Sequence, residues 1–294
     1  LDGVGSPVIT SYFGTAWDKA KVQNYMVQNA FLEYSYSDNV YFKAGRYQSG
    51  KVGEWFSGYN QGAEGYLQAG SVKLWGFLSN RRAFAYDQWF NDFYRVHGIY
   101  GGGATRNTYA LGLNLTFGGL TLSGFSYYTP GIVTAPGASI TFDTNPNKES
   151  QGFRSITKLR FLAPIADISQ RINAKRWGEI DKHSYTLYLE QRFEVNLFNF
   201  GAGYYQNFGN ANELIGRWGN PISIDIWTGS AYDIGQSLND IIGRNAITGF
   251  GYIGANYSSF DWKILGRGTN SPRSAEQSVA FILNYQIRED IAVG

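Results

Sequence analysis

The sequence predicts an all-β fold: a transmembrane antiparallel β-barrel with short periplasmic turns and long extracellular loops, of roughly 16 to 18 strands in the full chain. Three observations lead there. Apolar and polar residues alternate with period two, short turns and long polar connections follow one another along the chain, and ionised groups stand in mid-strand on the polar face.

Composition sets the bounds. The chain has 294 residues, 17% of them aromatic, with 37 glycines, no cysteine and a net charge of +2. All-β barrels reach this length undivided, so residues 1–294 read as a single barrel domain. Without cysteine there is no disulfide framework and no thiolate metal site. The near-neutral charge lacks the clustered basic face of a nucleic-acid binder. A mean hydropathy of −0.29 and the lack of any apolar run of about 18 residues exclude a transmembrane helix. A barrel passes that test, because only alternate residues of its strands face lipid.

The clearest alternation is in 108–117, where Tyr109, Leu111, Leu113, Leu115 and Phe117 interleave with Thr108, Ala110, Gly112, Asn114 and Thr116. Gly118-Gly119 then closes a hairpin. The same unit places strands near 7–17, 26–36, 40–47, 61–68, 72–79, 107–117, 120–128, 152–162, 165–173, 184–193, 196–207, 246–257, 260–267 and 276–287. Short turns are expected at 37–39, 69–71, 118–119, 163–164, 194–196, 258–259 and 288–290. Long connections are expected at 48–60, 80–107, 129–151, 174–182, 208–245 and 268–275. Compact soluble domains seldom need so many long loops at one end. Another strand begins at Ile291, and an open sheet edge in lipid is costly, so the domain is expected to be incomplete at the C-terminus. No signal peptide is visible at Leu1, so either it has been removed or the chain begins inside a longer one.

Charge decides which face is which. In 260–267, Phe260, Trp262 and Ile264 oppose Asp261, Lys263 and Arg267; in 185–192, Tyr185, Leu187 and Leu189 oppose Glu190 and Arg192; near 154–162, Phe153, Leu159 and Phe161 oppose Arg154, Lys158 and Arg160. Unpaired charges in a dry core are prohibitively costly, so the second face is wet. The expected pore lining is Lys43, Arg154, Lys158, Arg160, Arg171, Arg192, Lys263 and Arg267, against Glu33, Glu64, Asp167, Glu190 and Asp261. The excess of cations predicts a weak preference for anions or carboxylates. Lys43 and Arg46 have opposite parity, so only one points inward unless Gly45 marks a bulge. Phe117, Phe193, Phe198, Tyr257, Phe260, Trp262 and Tyr285 cluster near short turns, as an interfacial aromatic girdle does.

The segment Val40-Tyr41-Phe42-Lys43-Ala44-Gly45-Arg46-Tyr47, followed by Phe56-Ser57-Gly58-Tyr59-Asn60-Gln61-Gly62, resembles a hallmark of the Campylobacter and Helicobacter outer-membrane porins, Hof-type relatives of the OprD-like family. The resemblance implies extracellular loops folded into the lumen as a constriction and a basic ladder on the wall. Arg46 would join that ladder, with Arg81 or Arg82 at the mouth of the next loop. The family usually ends on a terminal aromatic, whereas this chain ends at Gly294.

Enzymatic chemistry finds little footing. The histidines are His97 and His183; Gly101-Gly102-Gly103 lies in a polar loop, and no P-loop or dinucleotide fingerprint opens a helix. No cofactor and no metal are expected. The expected partners are outer-membrane lipid, lipopolysaccharide and small hydrophilic solutes, with no nucleic acid; a homo-oligomer or an envelope complex stays open. The expected function is passive diffusion through a water-filled pore. The alternative is an adhesin or structural partner, for which the aromatic loop 80–107 would supply a surface.

Overall fold

The computed structural model describes residues 27, 29–56, 58–83, 107–167, 181–209, 218, 243–288 and 291–293. Its strands are β1 (Ala30–Tyr36), β2 (Val40–Ser49), β3 (Gly58–Ala69), β4 (Val72–Ala83), β5 (Thr108–Phe117), β6 (Leu120–Thr129), β7 (Val133–Asp143), β8 (Phe153–Leu162), β9 (Ile165–Ala166), β10 (Tyr185–Val195), β11 (Phe198–Phe208), β12 (Ile247–Asn256), β13 (Phe260–Asn270), β14 (Ala275–Arg288) and β15 (Ile291–Val293). They form one antiparallel sheet in which strands adjacent in sequence pair, except at β9: β8 pairs directly with β10, and the short β9 pairs with β7. Among the described residues, β1 and β15 are its two edges.

Parity along the strands separates two faces. Leu32, Leu111, Val279 and Phe281 expose 80%, 61%, 81% and 64% of their surface, while Thr108, Ala110, Ser139, Thr186 and Thr248 on the opposite parity are buried. Large apolar side chains exposed over a whole sheet face suit lipid and not water. The predicted architecture is therefore the observed one. Phe153 stacks on Phe193, Phe193 packs against Phe200, and Tyr257 stacks on Phe260 near the short turns, as expected of the girdle.

Hairpins close where the backbone can reverse. Gly118 (φ 59°) and Asn196 (φ 52°) sit in the left-handed region at the β5–β6 and β10–β11 turns. The turns at 37–39, 118–119, 196–197 and 257–259 share one rim, because each joins a descending strand to the next ascending one.

Two expectations fail. Residues 133–143 form strand β7, paired to β6 and β8, where a long connection over 129–151 was expected. Its residues Thr134 to Gly137 read as a loop because Pro136 interrupts them. Ala163-Pro164 is not a turn at the short rim. The β7 register runs on from Leu162 opposite Gly137 to Ile165 opposite Thr134, so β9 continues β8 across the break. The cause is the missing proline N–H: the Pro136 carbonyl accepts from Ala163 and the Pro164 carbonyl from Ser184, but neither proline can return a bond. Residues 163–164 therefore lie toward the opposite rim from 118–119, and the alternation of short and long connections breaks at the three-residue link 130–132, at the four-residue link 271–274 where a long connection over 268–275 was expected, and at the nine-residue link 144–152 on the short-turn rim. The expected strand over 7–17, and residues 168–173 of the strand expected over 165–173, lie outside the described residues.

Candidate pore wall and constriction

On the inner face, cations and carboxylates meet from adjacent strands. Register places Lys158 opposite Glu190, Arg160 opposite Tyr188, and Arg154 opposite Glu194. Lys158 Nζ lies 3.5 Å from Glu190, and that carboxylate also accepts the hydroxyls of Tyr188 (3.0 Å) and Tyr252 (2.7 Å). Nearer the short rim, Arg154 donates through Nε to Asp143 at 2.9 Å, and Arg192 lies 2.8 Å from Glu194. Lys263 sits 4.6 Å above the Tyr252 ring, a cation–π contact, and no carboxylate among the described residues pairs with it. Lys158, Arg160, Arg154 and Arg192 thus stand on one face of neighbouring strands, each in an ion pair.

The remaining expected lining residues divide. Lys43 faces inward, 2.9 Å from Glu33. Glu64 is buried beside it, accepting the Tyr41 hydroxyl at 3.1 Å. Asp261 is on the inner face, accepting from Asn284 at 2.8 Å. Arg267 faces inward but is withdrawn into the wall, 8% exposed and bound to Thr269 and Glu276. Asp167 stands past the end of β9 instead of in mid-strand. Arg171 lies outside the described residues. Arg46 does not share the face of Lys43. The β1–β2 register is unbroken through Gly45, so no bulge turns it inward, and its guanidinium donates to Gln61 Oε1 (2.9 Å) and to the Val27 carbonyl (3.1 Å).

The connection between β2 and β3 falls within the long connection expected over 48–60. It folds against the inner face, where Val52, Trp55 and Phe56 join Trp75, Phe77, Phe125 and Tyr127 in one buried cluster. The Tyr127 hydroxyl accepts the backbone N–H groups of Glu54 (3.0 Å) and Trp55 (3.1 Å). Glu54 takes a bond from Ser139 of β7 at 2.8 Å and pairs with Arg160 of β8 at 3.2 Å. Trp218, from the connection between β11 and β12, stacks on Tyr127 at 4.9 Å. An aromatic cluster on the inner face thus stands beside the Glu54–Arg160 pair and the charged residues of β8 and β10. The residue-level signal was the Glu54-Trp55-Phe56 run, a carboxylate beside two large aromatics inside a polar connection.

Residues 2–294 match the family described as "Putative outer membrane protein". The chain belongs to that family. This outer-membrane protein also resembles solved structures of OprD- and Occ-type porins. Acinetobacter baumannii OccAB4 aligns at 12% identity with a TM-score of 0.60, over 88% of this chain and 65% of that one. Pseudomonas aeruginosa OccK8 (OprE) aligns at 12% identity with a TM-score of 0.61, over 87% and 70%. Pseudomonas aeruginosa OpdK, solved with vanillate, aligns at 9% identity with a TM-score of 0.61, over 84% and 66%. The outer-membrane protein thus spans about two thirds of these structures, and at such identities the likeness establishes the barrel fold. No curated protein matches the sequence.

Proposed function

We propose that this outer-membrane protein is a porin giving passive diffusion to small hydrophilic solutes, with a weak preference for anions and carboxylates. The observation that carries the reading is the inner-face run of Lys158, Arg160, Arg192 and Lys263 on β8, β10 and β13, next to the inward-folded Glu54. Pairing with Glu190, Glu194 and Glu54 leaves the wall mixed in charge, which fits a weak preference better than a strong one. The solved OpdK complex with vanillate, a carboxylate, belongs to a barrel of similar fold and supports the same solute class. The Val40–Tyr47 and Phe56–Gly62 segments further support a place among the Campylobacter and Helicobacter porins.

The aromatic layer around Tyr127 and Trp218 favours one competing reading, a plugged barrel that serves as an adhesin or a structural partner. Single-channel recording of the full-length protein in a planar bilayer separates the two. Discrete conductance steps support the porin, and a silent membrane containing correctly inserted protein supports the plug.

A further inference from the structure

The outer face carries a polar track that its lipid setting does not explain. Among the described strand side chains, every carboxylate lies on the inner face, at Glu33, Glu64, Asp143, Glu190, Glu194, Asp261 and Glu276. The lysines and arginines follow them inward, with two exceptions, Arg46 and Arg81. Arg46 pairs in register with Gln61, and Gln61 pairs with Arg81. Directly paired residues share a face, and a register shift in β4 beside Asn80 turns Arg81 out of the inward parity of Trp75, Phe77 and Ser79. Hydrogen bonds then continue sideways across four strands. Arg46 donates to Gln61 (2.9 Å), Gln61 contacts Asn80 (3.5 Å), Asn80 donates to Asn107 (2.9 Å), and Asn107 reaches the hydroxyl of the outward Tyr109 (3.4 Å).

Position along the strands gives the track its level. Gln61 and Arg81 stand on 12-residue strands, eight and nine residues from the short-turn ends at Ala69 and Val72. A tilted strand crosses the hydrocarbon in about 9–11 residues, so the track marks the upper boundary of the apolar band. Below it the same face is apolar, with Phe42, Leu67, Leu74 and Leu111 exposed. Cationic side chains on a lipid face are costly at depth, and near the boundary they meet headgroups.

We infer that Arg46 and Arg81 bind the phosphate groups of lipopolysaccharide in the outer leaflet, whose acyl chains lie on the apolar face beneath. Charge chooses this occupant. A second copy of the chain offers no carboxylate on its described outer strand face, whereas a phosphorylated glycolipid brings anions at the right level and chains that fit below. Guanidinium forks match phosphate oxygens in charge and geometry. The inference stands on the outer-membrane location and is independent of the porin reading.

The test measures binding of purified lipopolysaccharide to the detergent-solubilised full-length protein by native mass spectrometry, for the parent, R46Q/R81Q and R46K/R81K. Single-channel conductance or, for a silent barrel, heat-modifiable electrophoretic mobility confirms the fold of each variant. The expected result is loss of affinity by about tenfold or more in R46Q/R81Q, with partial retention in R46K/R81K. Enzymatically dephosphorylated lipopolysaccharide should bind the parent as weakly as the intact lipid binds R46Q/R81Q, and millimolar inorganic phosphate should not compete. Equal lipopolysaccharide binding by the parent and R46Q/R81Q overturns the inference. So does competition by free phosphate, which would make the site one for the ion and not the lipid. A change of oligomeric mass in R46Q/R81Q without loss of lipid overturns it in favour of a subunit interface.

Discussion

Glu54 and Arg160 lie 3.2 Å apart, although one sits on the connection after β2 and the other on β8. The pair ties the segment after β2 to the inner face of β8 and sets a carboxylate beside the Arg160 guanidinium. Both effects can be separated by mutation.

Replacing Glu54 with glutamine keeps the Ser139 contact within reach and removes the charge opposite Arg160. The expected outcome in reconstituted bilayers is a reversal potential shifted toward anions, with the anion-to-cation permeability ratio about doubled. A shift toward cations would mean that Arg160 does not act on passing ions.

Tyr127→Phe tests the anchoring of the same segment. It deletes the acceptor of the Glu54 and Trp55 N–H groups and leaves both donors without that partner, at a cost of about 1–3 kcal/mol for a buried one. Amide hydrogen exchange over 50–56 should quicken while exchange in β10 and β11 stays as in the parent. Unchanged protection over 50–56 would assign the anchoring to the aromatic packing alone.

Gly45 takes φ 128°, and a Cβ there would stand 2.3 Å from the Ala30 carbonyl oxygen. Gly45→Ala should therefore loosen β1 from β2 at a cost of order 1–3 kcal/mol. A lowered midpoint of thermal unfolding in detergent, with exchange accelerating first in β1, is the expected reading; an unshifted midpoint would contradict the strain argument.

Much of this was legible in the sequence because a transmembrane sheet writes its two environments into alternate residues. Leu111 and Lys158 declare their faces by parity alone, and so do Trp262 and Lys263. Failures came where parity stops being informative. Pro136 and Pro164 interrupt the ladder from within paired strands, so β7 reads as loop and Ala163-Pro164 as a turn. At Asn80 the register shift reverses the face of Arg81, and no local pattern announces it. Arg46 followed parity faithfully; the family resemblance, not the spacing, had placed it in the pore. Tertiary partners such as Glu54 with Arg160 are set by how a connection folds across five strands, a relation that residue spacing does not encode. Arg267 kept the inward parity that was read for it, yet Glu276 and Thr269 hold it in the wall.

In the proposed porin the inner-face cations act on solutes in transit, and the most direct measurement of this is the reversal potential of the quadruple variant K158Q/R160Q/R192Q/K263Q in a salt gradient. In the proposed porin these groups face the lumen, where a narrow passage brings a passing ion within a Debye length of about 8 Å. Lumen substitutions tune selectivity with little effect on barrel stability. The expected result is a clear shift toward cation selectivity in a channel that still inserts and conducts. An unchanged reversal potential in a conducting channel would contradict it.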